Sequence, residues 1–238
     1  MTMENNRWLV HQRPSTSLWK RVLIMVGLGL VIQLPPTILL ALHNHRHFDR
    51  LTWSILSVYF VAFVLIILLA LKVYRTYDRH LHRPQGFGKR LKWVIGGYVA
   101  ILIGEGFLSR LNYLLYHETS TANNNNIAQL MGNNPVTVIT MGLTAVILTP
   151  IAEELIFRGA LMNPFFKDIS VVWQVILSGL VFGSEHASTN PVSFFIYVYL
   201  GMVLAVVYVK SGDIKNSMLL HALNNFIAMM MLLNSIHV

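Results

Sequence analysis

Residues 136–165 read VTVITMGLTAVILTPIAEELIFRGALMNPF. Crossing the hydrocarbon core of a bilayer takes about 20 mostly apolar residues in a helix, so this run is long enough to span. It is also too long for one straight span and contains Pro150, which removes a backbone donor and clashes one turn back, so a kink or break is expected there. Into this apolar setting the sequence places two adjacent carboxylates and a guanidinium, Glu153, Glu154 and Arg158.

Six further stretches have the same character, at about 22–42, 52–71, 93–115, 169–186, 192–209 and 217–236. The first holds Pro35-Pro36 and is expected to bend. The connection 187–191 is short, which makes the fifth and sixth spans an antiparallel hairpin. The fold expected is therefore all-α, a polytopic membrane helical bundle of about seven transmembrane helices. Composition agrees. The chain has 238 residues, 55% of them hydrophobic and only 12% charged, where a soluble domain carries about 25%. Mean hydropathy is +0.56. A disordered chain, a secreted disulfide scaffold and an ordinary soluble enzyme are excluded. Cysteine is absent, which removes disulfides, thiolate metal sites and a cysteine nucleophile.

The net charge is +8. Its distribution assigns it to topology. Fourteen of the 18 Lys and Arg residues fall on alternate connections: Arg7, Arg13, Lys20 and Arg21 before the first span, the run from Lys72 to Lys92 after the second, Lys167 after the fourth, and Lys210 and Lys215 after the sixth. The other connections carry only Arg46 and Arg50, and Arg110 and Arg158 lie within spans. This positive-inside pattern places the N-terminus in the cytoplasm and the C-terminus outside, with the basic loops against anionic lipid. Nucleic acid is not an expected partner, because the basic run at 72–92 has no folded domain to organise it. The first span exceeds the apolar region of a cleavable signal and no small-residue cleavage site follows, so no signal peptide is expected. The run Asn123–Asn126 reads as solvated linker.

The chain divides in character. Residues 1–133 hold most of the charge, in three spans and the basic inner loop, whereas residues 134–238 hold nearly every polar group set deep in an apolar span. Such groups cost about 2.5–3.5 kcal/mol each at the membrane centre on insertion scales, and persist when paired, when facing a cavity, or when functional. Glu154 and Arg158 are four apart, share a helix face and can pair bidentately. Glu153 lies about 100° around, without that partner, which makes it a candidate general base. The bland alternative is one buried salt-bridge cluster. A second group is Phe182-Gly183-Ser184-Glu185-His186, with Phe182 and His186 on one face; a histidine at a helix end is often only interfacial, and Glu185 could tune it or face headgroups. A third is His221-Ala222-Leu223-Asn224-Asn225, with His221 and Asn225 on one face, where the bland alternative is an interhelical hydrogen bond worth about 1 kcal/mol. Gln33 is expected to satisfy backbone freed by Pro35-Pro36, Glu105 and Arg110 to pair across a bent helix or reach the interface, and glycines 96, 97, 104 and 106 to mark close helix packing.

The ordered set Glu153-Glu154-x-x-x-Arg158, Phe182-x-x-x-His186 and His221-x-x-x-Asn225 resembles the CPBP intramembrane protease family, which includes the CAAX prenyl endopeptidases and many bacterial proteins linked to bacteriocin self-immunity. The resemblance covers residues 134–238. It implies that Glu153 activates the attacking water with help from His186, that His221 and Asn225 stabilise the oxyanion, and that Glu154, Arg158 and Phe182 support the site. It also implies a metal-free mechanism with no cofactor; a zinc ion on Glu153, His186 and His221 is the alternative. Amide hydrolysis needs a base for water and donors for developing negative charge, which these residue types supply. No acyl-enzyme nucleophile is evident.

The function expected is an intramembrane endopeptidase acting on a small peptide or membrane-associated protein, in bacteriocin self-immunity or in peptide or pheromone processing, at the plasma membrane of a bacterium. Two rivals stand beside it: a non-enzymatic immunity or scaffold protein on the same fold, and a transporter using Glu153, His186 and His221 as a relay. Repeated halves with matching broken helices would favour the transporter and are absent. One geometric demand remains. Seven straight spans would set His186 towards one membrane face and His221 towards the other, so broken or tilted helices must bring them together.

Overall fold

The computed structural model describes residues 16–42, 47, 49–78, 85–132, 134–166 and 168–236. Within them every regular element is helical. Arg7, Arg13, Arg46, Arg79, Arg83 and Lys167, used above for orientation, lie outside the described residues.

Helix α1 (Leu18–Ile32) starts at Ser17, whose hydroxyl accepts from the Lys20 N–H. It bends at Gln33 into α2 (Leu34–Ile38), where Pro35 and Pro36 occupy the first turn, and a 3₁₀ turn (Leu39–Leu42) follows. Prolines are tolerated there because first-turn N–H groups have no partner to lose. Helix α3 (Arg50–Tyr77) is capped by Asp49, and α4 (Phe87–Tyr116) ends at His117 in the left-handed region, φ 56°. The bundle continues through α5 (Ala122–Met131), α6 (Pro135–Val146), α7 (Leu148–Glu154), a π-helical segment (Leu155–Phe166), α8 (Val171–Ser184), α9 (Pro191–Ser211) and α10 (Ile214–Ile236).

Six stretches are long and apolar enough to cross a membrane: Leu18–Leu42, Arg50–Tyr77, Phe87–Tyr116, Pro135–Phe166, Pro191–Ser211 and Ile214–Ser235. The fifth expected span is shorter than the rest. Helix α8 has 14 residues, about 21 Å at helical rise, against a core of about 30 Å. The connection 185–190 that follows is tied to the region just past the end of α4, where Thr189 and Asn190 bond to Glu118. The chain is thus a multi-pass helical membrane protein with six helices long and apolar enough to span and the shorter apolar α8 beside them, among the described residues.

At the opposite end, Thr16 bonds to Tyr77, Arg21 donates to the Pro164 carbonyl, Gln85 donates to the Ser211 carbonyl and Arg90 pairs with Asp213 at 3.0 Å. These contacts collect the starts of α1 and α4 with the ends of α3, the π segment and α9. Lys20, Lys72, Arg75, Lys89, Lys92, Lys210 and Lys215 belong to these same helix ends and loops. Helices α8 and α9 pack most closely. A Cβ on Gly201 would meet Phe182 Cβ at 2.9 Å and Gly179 Cα at 3.0 Å, the close backbone approach that small residues allow in membranes.

Three local expectations are revised. Asn123–Asn126 is helical, not linker: Thr121 accepts from the Asn124 N–H and caps α5, while Ile127, Leu130 and Met131 pack against the core. A strong N-cap and one apolar face outweigh the weak helix propensity of asparagine. Glu105 and Arg110 do not pair; the Arg110 guanidinium lies 5.5 Å from the Tyr113 ring centroid instead. Of the four α4 glycines, only Gly97, against Leu220 and Val207, and Gly104, against Tyr199, mark close packing, while a Cβ on Gly96 or Gly106 would meet open space.

Candidate active site

The site begins with the expected break. Helix α6 stops at Val146, Ile147 takes φ −111° and ψ −59°, and α7 restarts at Leu148. The break sets Pro150 in the first turn of the new helix, where a missing N–H costs nothing. The Ala145 carbonyl at the break accepts from Asn225 Nδ2 at 2.9 Å. Helix α7 then carries Glu153 and Glu154 in its last turn, and the winding changes to π directly after Glu154. Widened turns of this kind recur at functional sites.

Glu154 and Arg158 are both fully buried. Their charges meet at 3.1 Å between Oε1 and NH1. The guanidinium also donates to the Gly201 carbonyl at 2.7 Å and lies 4.9 Å from the Phe182 ring centroid. Its charge is therefore spread over a carboxylate, a backbone dipole and a π face, which is how a buried cation is made tolerable. Glu154 Oε1 has a second partner, His221 Nδ1, at 3.1 Å. With one nitrogen so held, the His221 ring turns its Nε2 towards Glu153, 3.7 Å from Oε2. Glu153 Oε2 itself is buried and has no hydrogen-bond partner among the described residues.

Phe182 sits at the centre. Its ring meets those of Phe157 at 5.2 Å, His186 at 4.6 Å and His221 at 5.7 Å. The two histidines thus flank one aromatic ring, and the convergence demanded of the fold is met by the broken fourth span and the short α8. His186 Nδ1 lies 2.8 Å from the Phe182 carbonyl. A carbonyl only accepts, so Nδ1 carries the proton and Nε2 presents a lone pair. The opposite face of the His186 ring stacks on Tyr197 at 4.5 Å and 15°.

The arrangement adds to or departs from the expected one in three respects. His221 Nε2 lies 3.7 Å from Glu153 Oε2. Asn225 spends one donor on the Ala145 carbonyl, because the helix break leaves that carbonyl in need of a partner. Gln33 does not serve its own bent helix: its Nε2 reaches the Glu185 side chain at 3.3 Å and the Glu185 carbonyl at 3.4 Å, tying α1 to the loop that bears His186. Glu185 Oε1 lies 3.0 Å from where a Cβ on Gly29 would stand, so α1 closes on that side. Sequence reading missed Tyr197 and the Gly201 carbonyl. Neither has a local signal, since one is an aromatic residue in an apolar span and the other a backbone group.

His221 Nδ1 is engaged by Glu154 and His186 Nδ1 by a carbonyl, which leaves Nε2 of each ring as its open nitrogen. No group of three His, Asp or Glu side chains suited to a metal ion occurs among the described residues.

Residues 135–227 match the family model described as Type II CAAX prenyl endopeptidase Rce1-like. That span contains Glu153, Glu154, Arg158, Phe182, His186, His221 and Asn225. A Bacillus subtilis (strain 168) protein named "Putative membrane peptidase YdiL" is 23% identical over 182 residues, which is 76% of this chain and 71% of that protein. No solved structure matches the chain. The likeness carried by the three motifs, to a family of membrane-embedded endopeptidases, is therefore found independently in the comparison of this segment with known proteins.

Proposed function

We propose that the protein is an intramembrane endopeptidase that hydrolyses a peptide bond by water attack, with Glu153 as the base. The observation that carries this reading is the buried carboxylate oxygen of Glu153, which lies 3.7 Å from His221 Nε2 and has no hydrogen bond among the described residues, beside a Glu154–Arg158 pair that already accounts for the other two charges. A carboxylate held for structure is normally hydrogen-bonded.

In the proposed reaction the water oxygen bonds to the scissile carbonyl carbon while its proton passes to Glu153. His221, held through Nδ1 by Glu154, presents Nε2 to the oxyanion. Asn225, one turn along the same helix, adds its remaining amide N–H. Collapse of the intermediate breaks the C–N bond and the proton moves to the leaving amine. His186, with Nε2 as acceptor, assists in handling the water's protons. No metal is needed for any step. The substrate class is a small peptide or the tail of a membrane-associated protein, and bacteriocin self-immunity or peptide processing is the biological role, by analogy with the family. The basic helix ends face the cytoplasm in this scheme, with the protein in the plasma membrane of a bacterium.

The test is cleavage of a quenched fluorescent peptide library by wild type and Glu153→Gln in detergent. Loss of about 10³-fold in rate is expected in the variant. Equal cleavage by both would overturn the assignment of the base. Equal biological protection by both in cells would favour a binding protein on this fold instead.

A further inference from the structure

His186 lies beyond the end of α8, on the connection that leads to α9. Its own helix holds that histidine through the Phe182 carbonyl, the Phe182 ring and a backbone bond to the Gly183 carbonyl. A second hold comes from outside that helix, from a segment with no part in the motifs. The Tyr197 ring covers one face of the imidazole. The Tyr197 hydroxyl bonds to Thr121 Oγ1 at 2.6 Å. The Asn123 N–H donates to the Ala187 carbonyl, next to His186, at 3.2 Å. Glu118 Oε2 accepts from Thr189 Oγ1 at 2.8 Å and from Asn190 Nδ2 at 2.9 Å, and Asn190 is also the residue that caps α9. Residues 118–123 therefore hold the stretch 187–197 through its loop backbone, its helix cap and the ring that stacks on His186. All of 118–123 lies outside the segment matched by the family model.

We propose that residues 118–123 form a brace that fixes His186, with Tyr197 as the positioning residue that transmits its hold to the imidazole. The inference rests on the reading of His186 as a group that handles the protons of the attacking water. Displacement of such a group by about 1 Å can cost 10²-fold in rate, whereas substrate contacts would be unaffected. The Asn-rich α5, which the sequence offers as linker, is on this view part of the catalytic frame.

The experiment uses the full chain in detergent micelles and the same peptide library. Tyr197→Phe keeps the stacking face and removes the hydroxyl, and Thr121→Val removes its partner. Each is expected to lower kcat about tenfold with KM unchanged, and the double variant to be no slower than Thr121→Val alone, because Tyr197→Phe removes only the shared hydrogen bond whereas Thr121→Val also removes the α5 cap. Tyr197→Leu, which also removes the face, is expected to lose about 10²-fold. Wild-type kcat in both single variants, or effects that multiply in the double, would overturn the brace. A second measurement does not depend on activity: ¹⁵N shifts of the His186 ring should report one tautomer, protonated at Nδ1, in wild type and averaging in Tyr197→Leu and Thr121→Val. Identical spectra in all three would overturn the brace as well. If Glu153→Gln cleaves like wild type, the protease reading fails while the ring spectra still decide whether His186 is held from α5.

Discussion

Two apolar helices in this molecule carry a glutamate and an arginine, with opposite consequences. In α4 the pair is Glu105 and Arg110, five residues apart, so their side chains point about 140° apart around the helix. They do not meet, and Arg110 lies on the Tyr113 ring. In the fourth span the pair is Glu154 and Arg158, four residues apart, and they meet at 3.1 Å with both side chains fully buried. The surroundings differ as well: 11% of the apolar window of α4 is buried against 39% of the Pro135–Phe166 window. One residue of spacing and the presence of packing neighbours separate a tolerated pair of charges from an organised one. With Glu154 and Arg158 paired, Glu153 remains for the role of base proposed above.

The comparison can be broken by substitution. Arg158→Ala should be the most damaging, because it leaves Glu154 buried and uncompensated, at a cost of about 3–5 kcal/mol; thermal unfolding in detergent would show it, and a melting temperature within a degree of wild type would refute the account of the pair. Glu153→Gln should separate function from fold, with activity down about 10³-fold and the melting temperature unchanged. Asn225→Leu strips the Ala145 carbonyl of its partner and should cost about 1–3 kcal/mol, together with activity. Glu105→Leu should act in the opposite direction and stabilise by about 1 kcal/mol, since a carboxyl without hydrogen bond or ion pair is removed from an apolar helix. Arg110→Ala should be nearly silent, at about 0.5 kcal/mol or less, the worth of an exposed cation–π contact. If Glu105→Leu destabilised as much as Arg158→Ala, the contrast between the two helices would fail.

Much of the fold was legible because hydrophobic run length is a direct physical signal in membranes. The break near Pro150 and the bend at Pro35-Pro36 followed from the missing N–H and fixed φ of proline. The Glu154–Arg158 pair followed from helical periodicity. What could not be read was tertiary. Nothing local to Gln33 announces Glu185 as its partner, nor does anything near Tyr197 announce a stacked histidine. The Asn-rich stretch reads as linker by composition, whereas its helical state rests on the Thr121 cap and on the packing of Ile127, Leu130 and Met131. The approach of His221 to Glu153 and Glu154 depends on how α10 packs against α7, which spacing within either helix does not encode.

The hydrogen bond from Asn225 to the Ala145 carbonyl has a bearing on how related sequences are to be sorted. A side chain that mends a gap in the backbone inside hydrocarbon is held in place by folding alone. A descendant that had given up hydrolysis would still be under pressure to keep it, and to keep Glu154 and Arg158 for the same reason. Their presence in a chain is therefore a poor marker of a working enzyme. On the proposed mechanism Glu153, whose Oε2 has no hydrogen bond among the described residues, is the letter to inspect when asking whether a relative still cuts.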